Sequence, residues 1–164
     1  MSRLENIKSK IYTREQIKAV LNIWRLLEKK VVFTNGCFDL LHLGHIDYLS
    51  KAADMGDKLV IGLNSDASAS ALKGPGRPIT DQLSRSVMLA SFSFVDAVVI
   101  FDEPTPLHLI ELVRPDILVK GADYSIEQIV GADLVLQYGG EVKTIEYLSG
   151  YSTTLIEKKI RSNS

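Results

Sequence analysis

Apolar residues along this chain fall into two alternating rhythms. Between residues 13 and 29, Ile17, Val20, Leu21, Trp24 and Leu27 recur at the three- and four-residue spacing of a helix, with Thr13 placed to cap its start. Val31-Val32-Phe33-Thr34 is a continuous apolar run of strand length that stops at Asn35-Gly36. Residues 43–55 return to helical spacing, with Gly56 placed to end the helix. A second strand is expected at 58–63, then a long loop at 64–80 holding Lys73-Gly74-Pro75-Gly76-Arg77-Pro78. Helix 81–92 and strand 95–101 follow, and Pro104-Thr105-Pro106 opens a helix that runs through 107–113. Strand 117–119, helix 125–138, a Gly139-Gly140 turn, strand 141–145 and a last helix from Ser152 to about residue 160 complete the chain.

Five apolar strands alternating with helices predict a parallel sheet covered on both faces. Right-handed crossovers then give an α/β, doubly wound, Rossmann-like fold with a five-stranded sheet. One domain is expected over residues 1–164, with 1–30 as a helical lead-in. Ligands of such folds gather beyond the carboxyl ends of the strands. Segments 34–45, 64–80, 120–124 and 147–154 all occupy that position.

Composition changes this picture little. Apolar residues make up 46% of the 164 and charged residues 24%, as in soluble globular proteins. The formal net charge of −1 gives no basic field for nucleic acid, so an anionic ligand must be held by local cations and backbone dipoles. Cys37 is the single cysteine, so no intramolecular disulfide forms and a reducing, cytoplasmic setting is expected. No apolar run approaches the roughly 18 residues of a membrane span, and the first ten residues lack the apolar stretch of a secretory signal.

The informative stretch is Thr34-Asn35-Gly36-Cys37-Phe38-Asp39-Leu40-Leu41-His42-Leu43-Gly44-His45, a strand end running into a helix start. Helix N-termini present unpaired N–H groups and a dipole that favours anions. Gly36 and Gly44 let the backbone approach a ligand, and His42 and His45, three apart, share one helix face. Two imidazoles beside a phosphate can donate hydrogen bonds as charge develops, worth about 2.7–4 kcal/mol per donor. A zinc site would need a third ligand, and the only other histidine, His108, lies in a different helix. Neither the P-loop string nor G-x-G-x-x-G occurs. Cys37 is read as a small buried hydrophobe.

This string resembles the signature of the His-x-Gly-His nucleotidyltransferases, a Rossmann-like superfamily that includes cytidylyl- and adenylyltransferases. Asn64-Ser65-Asp66-Ala67-Ser68, Lys73-Gly74 with Arg77-Pro78, Leu118-Val119-Lys120-Gly121-Ala122-Asp123-Tyr124 and Gly150-Tyr151-Ser152-Thr153-Thr154 are similar to the adenylyltransferase domains of ADP-heptose synthases. In many bacteria that domain is fused behind a sugar kinase; here it would stand alone. The resemblance spans about residues 11–161 and implies transfer of AMP from ATP, with Mg²⁺, to heptose 1-phosphate. It implies that His42, His45 and Lys73 serve the reacting phosphates. Thr34, Asn35, Gly36, Cys37, Phe38, Lys120, Gly121, Asp123, Ser152, Thr153 and Thr154 would surround the nucleotide. Asp39, Asn64, Lys73, Arg77, Arg85 and Tyr124 would surround the sugar phosphate. Family members also form homodimers, which the resemblance extends to this chain.

Several of these residues carry a plainer reading beside the functional one. Ser152 is a helix cap as well as a phosphate contact. Arg85 lies either on a solvated helix face or near the phosphates. Asp39 would orient a sugar hydroxyl, help hold Mg²⁺, or cap the local turn. Tyr147 stands where glycerol-3-phosphate cytidylyltransferases have an arginine, which counts against that activity. Tyr151 and Leu155 also depart from the usual heptose-enzyme string. The competing expectations are a cytidylyltransferase, an adenylyltransferase for another phosphorylated metabolite, or a catalytically silent nucleotide-binding module.

Overall fold

The computed structural model describes residues 1–162. In chain order the helices are α1 (Arg3–Lys8), α2 (Arg14–Leu26), α3 (Leu43–Ala53), α4 (Asp66–Lys73), α5 (Gln82–Ala90), α6 (Leu107–Val113), α7 (Ala132–Gln137) and α8 (Thr153–Ser162). The strands are β1 (Ile11–Tyr12), β2 (Val31–Gly36), β3 (Lys58–Asn64), β4 (Ala97–Phe101), β5 (Ile117–Gly121) and β6 (Glu141–Ile145). They form one parallel sheet in the order β1-β4-β3-β2-β5-β6. From β2 the chain builds outward through β3 to β4, then crosses to the other side for β5 and β6. The two halves wind in opposite directions where β2 meets β5, which opens a crevice at their carboxyl ends.

Residues that alternate along a strand point to opposite faces, and both faces are covered. Phe33, Val60, Val99 and Leu118 pack under Ile17 and Leu21 of α2, Leu109 and Val113 of α6 and Val135 of α7. Val32, Ile61, Val98 and Val119 pack on the other face under Leu49 of α3 and Leu89 of α5. A one-residue slip in any central strand would exchange these two sets, so the register is firmly specified. No helix among the described residues is long and apolar enough to cross a membrane.

The structure corrects four expectations. The sheet has six strands, because Ile11–Tyr12 pairs in parallel with Val98 and Val99 of β4. Two residues are too few for a periodic signal, and they run straight into the Thr13 cap of α2, where Thr13 Oγ1 accepts from the Gln16 amide. The expected loop at 64–80 begins with α4, capped by Ser65, whose Oγ accepts from the Ser68 amide at 3.1 Å. Its sequence, DASASALK, buries only Ser68 and Ala69 and so shows little amphipathic pattern. The expected helix 125–138 divides into a single 3₁₀ turn (Ile126–Gln128) and α7, separated by Gly131 at φ 84°. Gly56 does not cap α3, which ends at Asp54 in the right-handed region.

Candidate active site

The crevice holds a cavity of about 500 Å³ at the carboxyl ends of β2, β3 and β5. Of the residues expected to bind nucleotide or sugar phosphate, Asn35, Gly36, Cys37, Phe38, Asp39, His45, Asn64, Lys73, Arg77, Lys120, Gly121, Asp123, Tyr124, Thr153 and Thr154 line it. Thr34, His42, Arg85 and Ser152 are not part of its lining. Tyr48, Ala69, Leu72, Pro78 and Tyr147 complete the lining and were not among the expected residues. Tyr48 lies three residues beyond His45 on α3, so helical spacing alone places it on the same face. Ala69 and Leu72 depend on α4, which the sequence pattern conceals.

The turn from β2 into α3 is strained: Phe38 and Leu40 both have φ 48°, left-handed conformations that side chains rarely adopt. Such residues persist where surrounding contacts over-determine them. Here Asp39 supplies those contacts. Its carboxylate, 7% exposed, accepts from the amides of Ile79 (2.8 Å) and Thr80 (3.0 Å), from the Thr80 hydroxyl (2.9 Å) and from Arg77 (2.8 Å). Burial pushes this carboxyl up, but the four hydrogen bonds outweigh it and bring its pKa to about 2. Both oxygens are therefore engaged by the 77–80 loop.

His42 is the N-cap residue of α3 and His45 its third helical residue. Their rings stack with centroids 3.9 Å apart, and the Phe38 ring meets His45 edge-on at 5.6 Å. The His42 amide donates to His45 Nδ1 at 3.3 Å, which assigns the His45 proton to Nε2. Burial, with His42 beside it, lowers the His45 pKa to about 4; burial also lowers that of His42. Both rings are neutral at pH 7, so His45 presents Nε2–H as a donor. His42 Nδ1 is the one buried side-chain polar atom among the described residues without a hydrogen-bond partner. Gly44 makes room for it: a β-carbon there would lie 3.0 Å from that nitrogen.

Lys120, at the end of β5, donates to both the backbone and side-chain oxygens of Asn35 at 3.2 Å and lies 5.5 Å from the centre of the Tyr124 ring. Burial lowers its pKa, partly offset by Asp123 and Cys37. The Cys37 thiol is pushed up by burial, against the pull of Lys73 and Arg85. Tyr147 lies across Gly121 so closely that a β-carbon there would fall 2.0 Å from the phenol oxygen. Burial, followed by the Asp123 charge, raises the Tyr147 phenol to about 12. Tyr48, 5.8 Å away ring to ring, shares its hydroxyl with Thr34 at 2.8 Å. The lining is thus aromatic at Tyr48, Tyr124 and Tyr147 and cationic at Lys73, Arg77 and Lys120.

Arg85 differs from both of its expected placements. It is 0% exposed and donates to the carbonyls of Thr80, Cys37 and Asn64 and to Asp66 at 2.6–2.9 Å. It cross-links three cavity-forming segments from behind and does not face the cavity. Asn64 donates to Ser68 Oγ at 2.7 Å. Ser152 Oγ accepts from the Leu155 amide at 3.1 Å, the cap expected of it. The Thr153 hydroxyl donates to the Asp39 carbonyl at 3.1 Å, which brings the start of α8 to the cavity. Among the described residues, no group of three or more His, Cys, Asp and Glu is gathered to hold a metal ion.

A doubly wound parallel sheet with a polar cavity at its switch point defines the Rossmann-like α/β class. Within it, a family profile described as Cytidylyltransferase-like matches residues 33–159, and the chain belongs to that family. It is 57% identical over 93% of its length to the bifunctional protein HldE of Syntrophotalea carbinolica, and 54% identical over 93% to that of Caulobacter vibrioides. It is also 47% identical over 99% of its length to that of Pseudomonas fluorescens. The chain spans about a third of the length of these relatives, 31%, 32% and 34% respectively. Among solved structures, a lipopolysaccharide core biosynthesis protein from Thermoplasma volcanium matches with a TM-score of 0.60 and 31% identity, covering 76% of this chain and 99% of that one. Pantoate-beta-alanine ligase from Francisella tularensis shares the fold at TM-score 0.64 and 16% identity, over 92% of this chain and 76% of its own.

Proposed function

We propose that this chain transfers AMP from ATP to D-glycero-D-manno-heptose 1-phosphate, giving ADP-heptose and pyrophosphate. The observation that carries the transfer chemistry is the gathering of His45, Lys73, Lys120, Thr153 and Thr154 around one cavity at the switch point. An oxygen of the sugar phosphate attacks the α-phosphorus of ATP; that P–O bond forms as the bond to pyrophosphate breaks. Negative charge crowds both sides of the phosphorus, so positioning and screening supply most of the rate.

In this reading His45 Nε2–H, preset by its bond from the His42 amide, donates to the phosphate oxygens. Lys73 screens the reacting phosphates from the loop side. The hydroxyls of Thr153 and Thr154, with the first-turn amides of α8, meet the leaving pyrophosphate. The aromatic lining formed by Tyr48, Tyr124 and Tyr147 takes the base. Mg²⁺ enters with the nucleotide, since both Asp39 oxygens already accept protein hydrogen bonds and the ion is best held by the phosphates themselves. The heptose assignment rests on the strand-end motifs similar to ADP-heptose synthases. The identity to the HldE proteins supports it, as does the likeness to the lipopolysaccharide core biosynthesis protein of Thermoplasma volcanium. The reading also places the protein in the cytoplasm as a homodimer, as the family resemblance implies.

The test is a nucleotide panel of ATP, CTP, GTP and UTP with heptose 1-phosphate and Mg²⁺, scored by pyrophosphate release. Turnover confined to ATP supports the assignment. CTP preference, or turnover with glycerol 3-phosphate in place of the heptose, overturns it.

A further inference from the structure

Helix α8 has no buried residue, yet its first turn forms part of the cavity wall. An exposed helix of ten residues does not hold its position by propensity, so its attachments matter. Two of them converge on the same place. Thr153 donates to the Asp39 carbonyl at 3.1 Å. One turn along, Glu157 accepts from Arg77 Nη2 at 2.7 Å. The other arm of the same guanidinium, Nη1, bonds the Asp39 carboxylate at 2.8 Å. Arg77 lies in the loop that follows Lys73, is 19% exposed, and is thus held between two carboxylates, one from the turn between β2 and α3 and one from α8. The planar fork of arginine suits this bridging, and a lysine point charge cannot reproduce it.

We propose that Glu157 is a positioning residue for the transfer. With Arg77 and Asp39 it forms a clasp that fixes the loop after Lys73 against the threonine-bearing start of α8. The inference rests on the proposed phosphate chemistry, because its purpose is to set Lys73 and Thr153–Thr154 at a fixed separation across the reacting phosphates. It also reassigns Arg77: with both arms occupied by carboxylates, its task is to tie its loop to Asp39 and to α8. Misplacing reacting groups by about 1 Å can cost on the order of a hundredfold in rate. The pair is partly exposed, so its removal is felt far less by the fold.

The experiment compares wild type, Glu157→Gln and Glu157→Asp by steady-state kinetics, thermal melting and amide hydrogen exchange. The clasp predicts that Glu157→Gln lowers kcat about ten- to hundredfold, with KM for ATP within about twofold and an unchanged melting temperature. Exchange along α8 and at the Ile79 and Thr80 amides becomes faster, while that of α5 stays as it was. Glu157→Asp, which keeps the carboxylate, recovers most of the lost rate. An unchanged kcat in Glu157→Gln overturns the proposal. So does a rate loss without faster exchange, or one that follows a lowered melting temperature. If the wild-type chain turns over no substrate, the functional reading fails. Hydrogen exchange still decides whether Glu157 holds α8 to the loop.

Discussion

Replacing His42 with leucine separates what the site needs from what the fold needs. His42 Nδ1 is buried without a partner, and an unsatisfied polar atom of this kind costs about 1–3 kcal/mol. No side-chain hydrogen bond caps α3 from this position, so leucine loses no cap. What it loses is the ring stack on His45 at 3.9 Å, worth about 0.5–1.5 kcal/mol. The balance favours the variant by about 1 kcal/mol, a rise in melting temperature of roughly 2–4 °C for a chain of this length. Pyrophosphate release should fall in the same protein by up to about a hundredfold, because the ring that stacks on the His45 donor and fixes its position is gone. Urea unfolding and calorimetry measure the first quantity and the coupled assay the second. Destabilisation by more than about 1 kcal/mol would refute the reasoning. It would mean that the His45 amide, which bonds the His42 carbonyl at 2.9 Å, is also reached by Nδ1.

Three further outcomes follow from the same geometry. Stability should fall with acid in two separate windows. The unfolded chain takes up the His45 proton first, so that contribution is complete above about 6.5 and is lost as pH falls toward about 4. The Asp39 contribution is complete above about 3.8 and is lost as pH falls through about 2. Urea midpoints against pH should show a shallower upper step in His45→Gln, with the His42 share remaining, and a shallower lower step in Asp39→Asn; an unchanged profile in either variant contradicts the assignment. Arg85→Met removes the hydrogen bonds that a fully buried guanidinium gives to three carbonyls and should cost about 1–3 kcal/mol in denaturant unfolding. Intact stability with a raised KM would return Arg85 to the substrate site. Gly121→Ala must displace the Tyr147 ring from Asp123, raising KM for ATP severalfold with little change in melting temperature. Adding Tyr147→Ala should remove the steric conflict, and an unchanged KM in Gly121→Ala would show that Tyr147 has no part in holding the base.

The central strands were legible because burial on both faces writes a continuous apolar run, as in Val31-Val32-Phe33. The pairing of His42 with His45 was legible because residues three apart at a helix start share one face, and the two rings do stack. Ile11–Tyr12 was not, since its place in the sheet is decided by β4, nearly ninety residues away in the register with Val98 and Val99. Helix α4 was hidden for another reason. It is stabilised by the Ser65 cap and by Asn64 on Ser68, contacts that leave no apolar period behind.

Charged residues near the cavity divide by a different rule. Asp39, Arg77 and Arg85 belong to the residue types that bind phosphates and sugars, and they stand within or beside the segments where such ligands gather. Burial decides between the two uses. An arginine with no exposed surface must have its donors met within the protein, as Arg85 has on Thr80, Cys37 and Asn64. A carboxylate held near pKa 2 by four hydrogen bonds already has its lone pairs taken. Lys73 stands exposed at the cavity's loop side, and Lys120 bonds the two oxygens of Asn35 and lies over the Tyr124 ring. In the proposed function these two carry the cationic charge that an incoming phosphate meets. On that reading the site combines an inner frame of satisfied charges with an outer set left for the ligand, and only side-chain packing distinguishes them. Glu157 shows the consequence: nothing in its position on an exposed helix marks it in the sequence, and its partner Arg77 is eighty residues away.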